Sequence, residues 1–175
     1  MVGISNNVWD EYGSTINLSG AQTQIDTTGD TVKFTDGTSG NSVLFYNEYG
    51  NELTSGAVLG SNGSVSALKG SIEITGDDDT LRALANISYN DDTYSVNGKS
   101  ELFDCSAPAF GAEHISGFNS TDVIQVSKDD AADWQALQGL ISQSGSDTLI
   151  SLNSGTIDLA DITASTLTAG EFKFV

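Results

Sequence analysis

A mainly β fold is what this sequence predicts: a β-solenoid of the parallel β-helix or β-roll kind with one α-helix in a C-terminal α/β cap. Three observations predict it. Short apolar alternations recur from Ser14 to Cys105 with no helix-period stretch between them, glycines punctuate them at near-regular intervals, and the fragment Asp-Thr-apolar returns four times. A strand of three or four residues does not stand alone, so such pieces are stable only when stacked on copies of themselves or wrapped into a sandwich. Stacking fits the cadence, and a β-sandwich or jelly roll is the alternative.

Residues 1–13, with Trp9 beside Asp10, are expected to form an N-terminal cap, because the open end of a stacked β structure must be shielded. Residues 14–105 are expected to be the solenoid. Ile16 and Leu18 alternate with polar neighbours and stop at Gly20, and Val32 and Phe34 stop at Gly37. Gly50, Gly56, Gly63, Gly70 and Gly76 then fall six or seven residues apart, with Leu53, Val58, Val65 and the pair Ile72 and Ile74 between them. Leu81, Ile87, Val96 and Leu102 keep that cadence. The four fragments beginning Asp30-Thr31-Val32, Asp79-Thr80-Leu81, Asp92-Thr93-Tyr94 and Asp147-Thr148-Leu149 each place a polar corner immediately before a strand.

Residues 106–175 are expected to be a C-terminal cap. Strands are predicted over Thr121–Val126, Thr148–Leu152, Thr156–Leu159 and Glu171–Val175. Between the first two, Ser127 with Asp130 three residues on resembles a capping box, and Trp134, Leu137 and Ile141 share one stripe. The spacing therefore predicts a helix ended by Gly145.

Charge narrows the partners. Twenty-four acidic residues against six basic ones give a formal net charge of −18, which repels phosphate backbones and anionic lipid and excludes nucleic acid as a partner. No run approaches the length of a membrane span, so membrane insertion is not expected. The N-terminus lacks the basic-then-apolar pattern of a cleaved secretory signal, which points to a cytoplasmic protein or to an export route that reads another part of the chain. The lone Cys105 excludes an internal disulfide framework.

Candidate chemistry is sparse. Asp104-Cys105 and Glu113-His114 bring a nucleophile, a base and carboxylates within ten residues of one another. A free cysteine is more often a small buried hydrophobe, and no catalytic residue is assigned. Asp77, Asp78 and Asp79, and Asp91 and Asp92 beside Asn90, form acidic corners about one predicted coil apart. Stacking would set their carboxylates over one another, and hard oxygen ligands of this kind suit Ca²⁺. Asn and Asp also favour corners for conformational reasons alone. Asp129-Asp130 reads as charge at a helix N-terminus. With His114 the only histidine, no zinc-ligand spacing or Ser-His-Asp constellation can be assembled.

The segment Ile115-Ser-Gly-Phe-Asn-Ser-Thr-Asp-Val-Ile-Gln-Val126, the Trp134 stripe, Gln143 to Leu152, Thr156 to Leu159 and Leu167 to Phe174 together resemble the C-terminal region of repeat-rich bacterial exoproteins of the RTX (haemolysin-type) group. The resemblance implies a secreted, extracellular or cell-surface bacterial protein exported by a type I secretion apparatus through an uncleaved C-terminal signal. Glu171-Phe-Lys-Phe-Val175 is similar to the acidic-then-apolar ending of such signals. No stretch matches the calcium-binding nonapeptide of that group, and Gly76-Asp-Asp-Asp-Thr-Leu81 is the nearest approach. The expectation is a right-handed β-solenoid with its cap, acting as a non-catalytic structural or adhesion-type module. The alternatives are a carbohydrate-binding or polysaccharide-modifying module, with Tyr46, Tyr49, Tyr89 and Tyr94 stacking on sugar rings at a polysaccharide or cell surface, and a calcium-responsive folding module.

Overall fold

The structure, a computed structural model, describes residues 5–8, 15–18, 22–25, 30–34, 41–45, 54–67, 69–84 and 91–175. Its strands are β1 (Ser5–Val8), β2 (Thr15–Leu18), β3 (Gln22–Ile25), β4 (Asp30–Phe34), β5 (Asn41–Phe45), β6 (Thr54–Leu59), β7 (Gly63–Ala67), β8 (Gly70–Thr75) and β9 (Thr80–Arg82). They continue as β10 (Asp91–Val96), β11 (Leu102–Cys105), β12 (Gly111–Ser116) and β13 (Val123–Val126). The helix α1 (Trp134–Gln138) precedes β14 (Ile141–Ser144), β15 (Asp147–Ser151), β16 (Gly155–Leu159) and β17 (Phe172–Phe174).

Two sheets hold these strands. Among the described residues, β1, β3, β5, β7, β9, β11, β13 and β17 lie side by side in one sheet, and β2, β4, β6, β8, β10, β12 and β16 lie side by side in the other, with β15 and β14 at its end. The chain thus places one strand in each sheet by turns, and every strand up to β13 pairs in parallel with its counterpart one coil away. A sandwich or jelly roll would put antiparallel neighbours throughout; here, among the described residues, antiparallel pairing is confined to β14, β15 and β16. The fold is mainly β with parallel sheets, as the sequence predicts.

The repeat is longer than the glycine cadence suggests. Equivalent corner residues are 16, 22 and 21 positions apart in successive coils; the intervals from Gly63 to Gly70 and from Gly70 to Gly76 each measure one strand with its corner, and Gly56 falls inside β6. Gly63 and Gly70 open β7 and β8, on opposite sheets of one coil.

Alternation decides which side chains enter the core. Val43, Val65, Leu81, Phe103, Ile124 and Phe172 form one register column, and Val32, Val58, Ile74 and Val96 another; all are buried. β-Branched and aromatic residues suit this pleated, half-buried surface. Many outward neighbours are polar, and across three coils Arg82 and Gln125 both donate to Asp104, at 3.3 and 2.8 Å. Within the core, large residues face small ones: the Phe45 ring fills the space that a Cβ on Gly56 would need.

The C-terminal region corrects the predicted helix. Only Trp134–Gln138 is helical, with Asp133, not Ser127, as N-cap, accepting from the Ala136 N–H at 3.0 Å. Ile141–Ser144 is a strand paired antiparallel to β15, and Gly145, at φ +66°, turns the hairpin instead of ending a helix. Gly139, Ser142 and Ser144 are weak helix formers, whereas Ile141 finds Ile150 directly opposite on β15. Leu137 is fully buried, and the half-buried Trp134 stacks on Phe172 with ring centroids 5.2 Å apart. Because β16 pairs in parallel with β12 and β17 with β13, the ladder runs on past Cys105. The expected cap is the last coil with both of its connections lengthened, one carrying α1, β14 and β15 and the other two short 3₁₀ turns. At the other end, β1, within residues 1–13, pairs with β3 as a rung of the same sheet.

Candidate functional site: stacked acidic corners

The corners between the two sheets repeat a four-residue pattern. In 60–63, 76–79, 98–101 and 119–122 the first residue is Gly60, Gly76, Gly98 or Asn119 and the fourth is Gly63, Asp79, Glu101 or Asp122. The third residue of the first three, Asn62, Asp78 and Ser100, has φ near +62°, a left-handed conformation that Asn, Asp and Ser reach through local side-chain hydrogen bonding. Successive corners nest closely: a Cβ on Gly76 would fall on the Gly60 carbonyl, and one on Gly98 on the Gly76 carbonyl. Glycine is required there because another backbone occupies the space.

The fourth residue points inward and reaches back one coil. Gly63 N–H donates to Asp79 Oδ1 at 2.7 Å, Asp79 N–H to Glu101 Oε2 at 2.8 Å, and Glu101 N–H to Asp122 Oδ1 at 3.0 Å. Asp122 Oδ2 then accepts from both the backbone and the side-chain amide of Asn119, each at 2.9 Å. Each carboxyl thus takes the backbone N–H of the equivalent residue one coil earlier, which the sheet leaves unpaired. All three side chains are 1% exposed, and Asp79 Oδ2 and Glu101 Oε1 have no hydrogen-bond partner among the described residues. Burial lifts Asp79 to about 6 against the pull of the Gly63 N–H. It lifts Glu101 to about 8, where a single N–H opposes it and acids lie on both sides. Asp122 is also raised by burial, with several N–H donors pulling the other way.

A second column stands at the start of the opposite sheet. Gly70 N–H donates to Asp92 Oδ1 at 2.7 Å, and Glu113 sits beside Asp92 in register. Glu113 is 2% exposed and neither of its oxygens has a hydrogen-bond partner among the described residues. Burial, then Asp92 and Asp91, push it up to about 9. Tyr94 and Cys105 share this interior, and both are held well above their ordinary values by burial first and Glu113 second.

The predicted acidic residues are therefore divided. Asp77, Asp78 and Asp91 are exposed, and Asp77 Oδ1 accepts the Lys99 N–H at 3.0 Å. Asp79 and Asp92 are buried with one oxygen each committed to a backbone N–H. The two clusters do not stack: they occupy different corners of the coil, Glu101 lying over Asp79 and Glu113 beside Asp92. A calcium ion asks for six to eight oxygens, and among the described residues no three acidic, histidine or cysteine groups are placed to hold a metal.

Tyr94, expected on a sugar-facing surface, lies in the core at 2% exposure because the alternation that starts at Asp92 turns it inward. Tyr46, Tyr49 and Tyr89 fall outside the described residues. Cys105 points inward from β11, whereas His114 points outward from β12 and binds Asp158 Oδ2 through Nδ1 at 2.9 Å, so the two do not form a dyad. Asp130, read as helix charge, instead holds the β15–β16 turn, accepting from Ser154 N–H at 3.0 Å and from its hydroxyl at 2.6 Å.

Glu101 and Asp122 are not singled out by the sequence, and Glu113 stands out there only as a carboxylate beside His114. The signal for Glu101 and Asp122 was a Gly or Asn three residues before an acid that itself opens an apolar alternation.

No family model and no curated protein sequence matches the chain. Among solved structures, the extracellular lipase LipA from Serratia marcescens is similar over 100% of this chain, at 10% identity and a TM-score of 0.39. The chain spans 40% of that protein's length.

Proposed function

We propose that this chain is a non-catalytic extracellular structural or adhesion-type module, a right-handed β-solenoid whose last coil carries a type I secretion segment. The observation that carries the reading is the uninterrupted parallel ladder closed at its C-terminal end by β14–β16 in one sheet and by β17 in the other. The right-handed sense follows the general preference of parallel strand–crossover–strand units. The outward separation of His114 from the buried Cys105 supports a non-catalytic role. Secretion and a bacterial cell-surface setting rest on the resemblance of residues 115–175 to exported repeat proteins.

A host with a type I exporter tests this. Residues 115–175 fused to an unrelated reporter are expected to carry it into the medium, and the same fusion lacking Leu167 to Val175 to stay inside. Equal secretion of both fusions, or of neither, removes the export reading.

A further inference from the structure

The two acid columns place carboxyls where no ordinary fold leaves charge. Glu101 faces Asp77 and Asp79 from the preceding coil and Asp122 from the following one. Glu113 faces Asp91, Asp92 and Tyr94 on β10, Cys105 across the core, and Ile157 on β16. Four carboxyl oxygens of Asp79, Glu101 and Glu113 are buried without a hydrogen-bond partner among the described residues. Burial strongly disfavours an ionised carboxylate in such a place, whereas its protonated form is a modest polar group that can also donate. We infer that protons are the structural ligand of the stacked corners: with Glu101 and Glu113 protonated the coils close on one another, and the ladder loosens as the pH rises.

The direction follows from linkage. The ordinary value for a Glu carboxyl is 4.5, and burial raises Glu101 to about 8 and Glu113 to about 9. Between those values the folded chain binds more protons than the unfolded one. This contribution is fully present at acid pH, and it is lost as the pH climbs through the folded-state values. Burial of paired carboxylates that titrate low would give the opposite slope.

Thermal unfolding of the whole chain, followed by circular dichroism from about pH 5 to about pH 9 with a chelator present, is the test. The midpoint is expected to fall by on the order of 10 °C across that range. Glu101→Gln and Glu113→Gln, which mimic the protonated side chain, should each flatten the slope and raise the midpoint at the alkaline end. Asp129→Asn, which removes an exposed carboxylate, should leave the slope as it is. Titration of ¹³C-labelled glutamate in the wild-type chain reads the same groups without mutation, and two carboxyls should titrate above about pH 7. A midpoint that is flat or rises with pH, a slope unchanged in both Gln variants, or glutamates that all titrate below about pH 6 overturns the inference.

Discussion

Alanine at position 98 should cost the folded state at least about 3 kcal/mol, enough to remove a large part of a typical domain's stability. A methyl group there meets the Gly76 carbonyl and Glu101 Oε1 together. The carbonyl cannot retreat, because Gly76 is itself seated on the Gly60 carbonyl one coil further back. The strain therefore passes down the column, since close-packed interiors transmit displacement. Urea unfolding gives the reading, as a fall in the midpoint at constant slope. Gly139→Ala is the contrast: its new Cβ comes no nearer than 3.6 Å to the Ala136 carbonyl, at φ −71°. That change should be neutral or slightly stabilising.

Phe103→Ala should be comparably severe, at about 3–5 kcal/mol. Phe103 is 1% exposed, sits between Leu81 and Ile124 in an apolar column, and tilts against Phe118 with centroids 5.9 Å apart. The rungs on either side are held by their own backbone ladders, so the site is poorly able to collapse into the space. Chemical denaturation reads the loss, and a cost below about 1 kcal/mol would mean that the coils slide to fill the cavity.

Much of this architecture is legible in the sequence, for a physical reason. The period-2 alternations around Val32, Val65, Ile72 and Ile74 place those residues inward; Gly63, Gly70 and Gly76 stand at strand ends, whereas Gly56 lies inside β6 against the Phe45 ring. Three of the four Asp-Thr-apolar fragments place the apolar residue in the core, at Val32, Leu81 and Tyr94. In the fourth it is Thr148 that is buried, because β15 belongs to the antiparallel hairpin. The helix was overread because Trp134, Leu137 and Ile141 keep a helical spacing by coincidence: the first two serve α1, and the third serves a strand.

The acidic corners were misread for a different reason. Coil length is a tertiary quantity, so sequence distance alone suggested that Asp77–Asp79 and Asp91–Asp92 stack. The coil measured through Asp79 and Glu101 is 22 residues, which sets different partners. Burial of Glu101 and Glu113 was hidden as well, since an inward acid and an outward one look alike until the strand's parity is known. Parity is set here by Phe103 and Ile115, each two positions on.

The coil changes length from 16 to 22 to 21 residues while opposing residues keep their registration. Strands are thus the fixed gauge, and connections absorb whatever the chain has in surplus, up to an entire hairpin and helix in the last turn. Pro108, exposed in the link from β11 to β12, lies where foreign sequence would ride outside the stack. The helix and hairpin of the last coil are accommodated in this way, outside rungs that keep their registration.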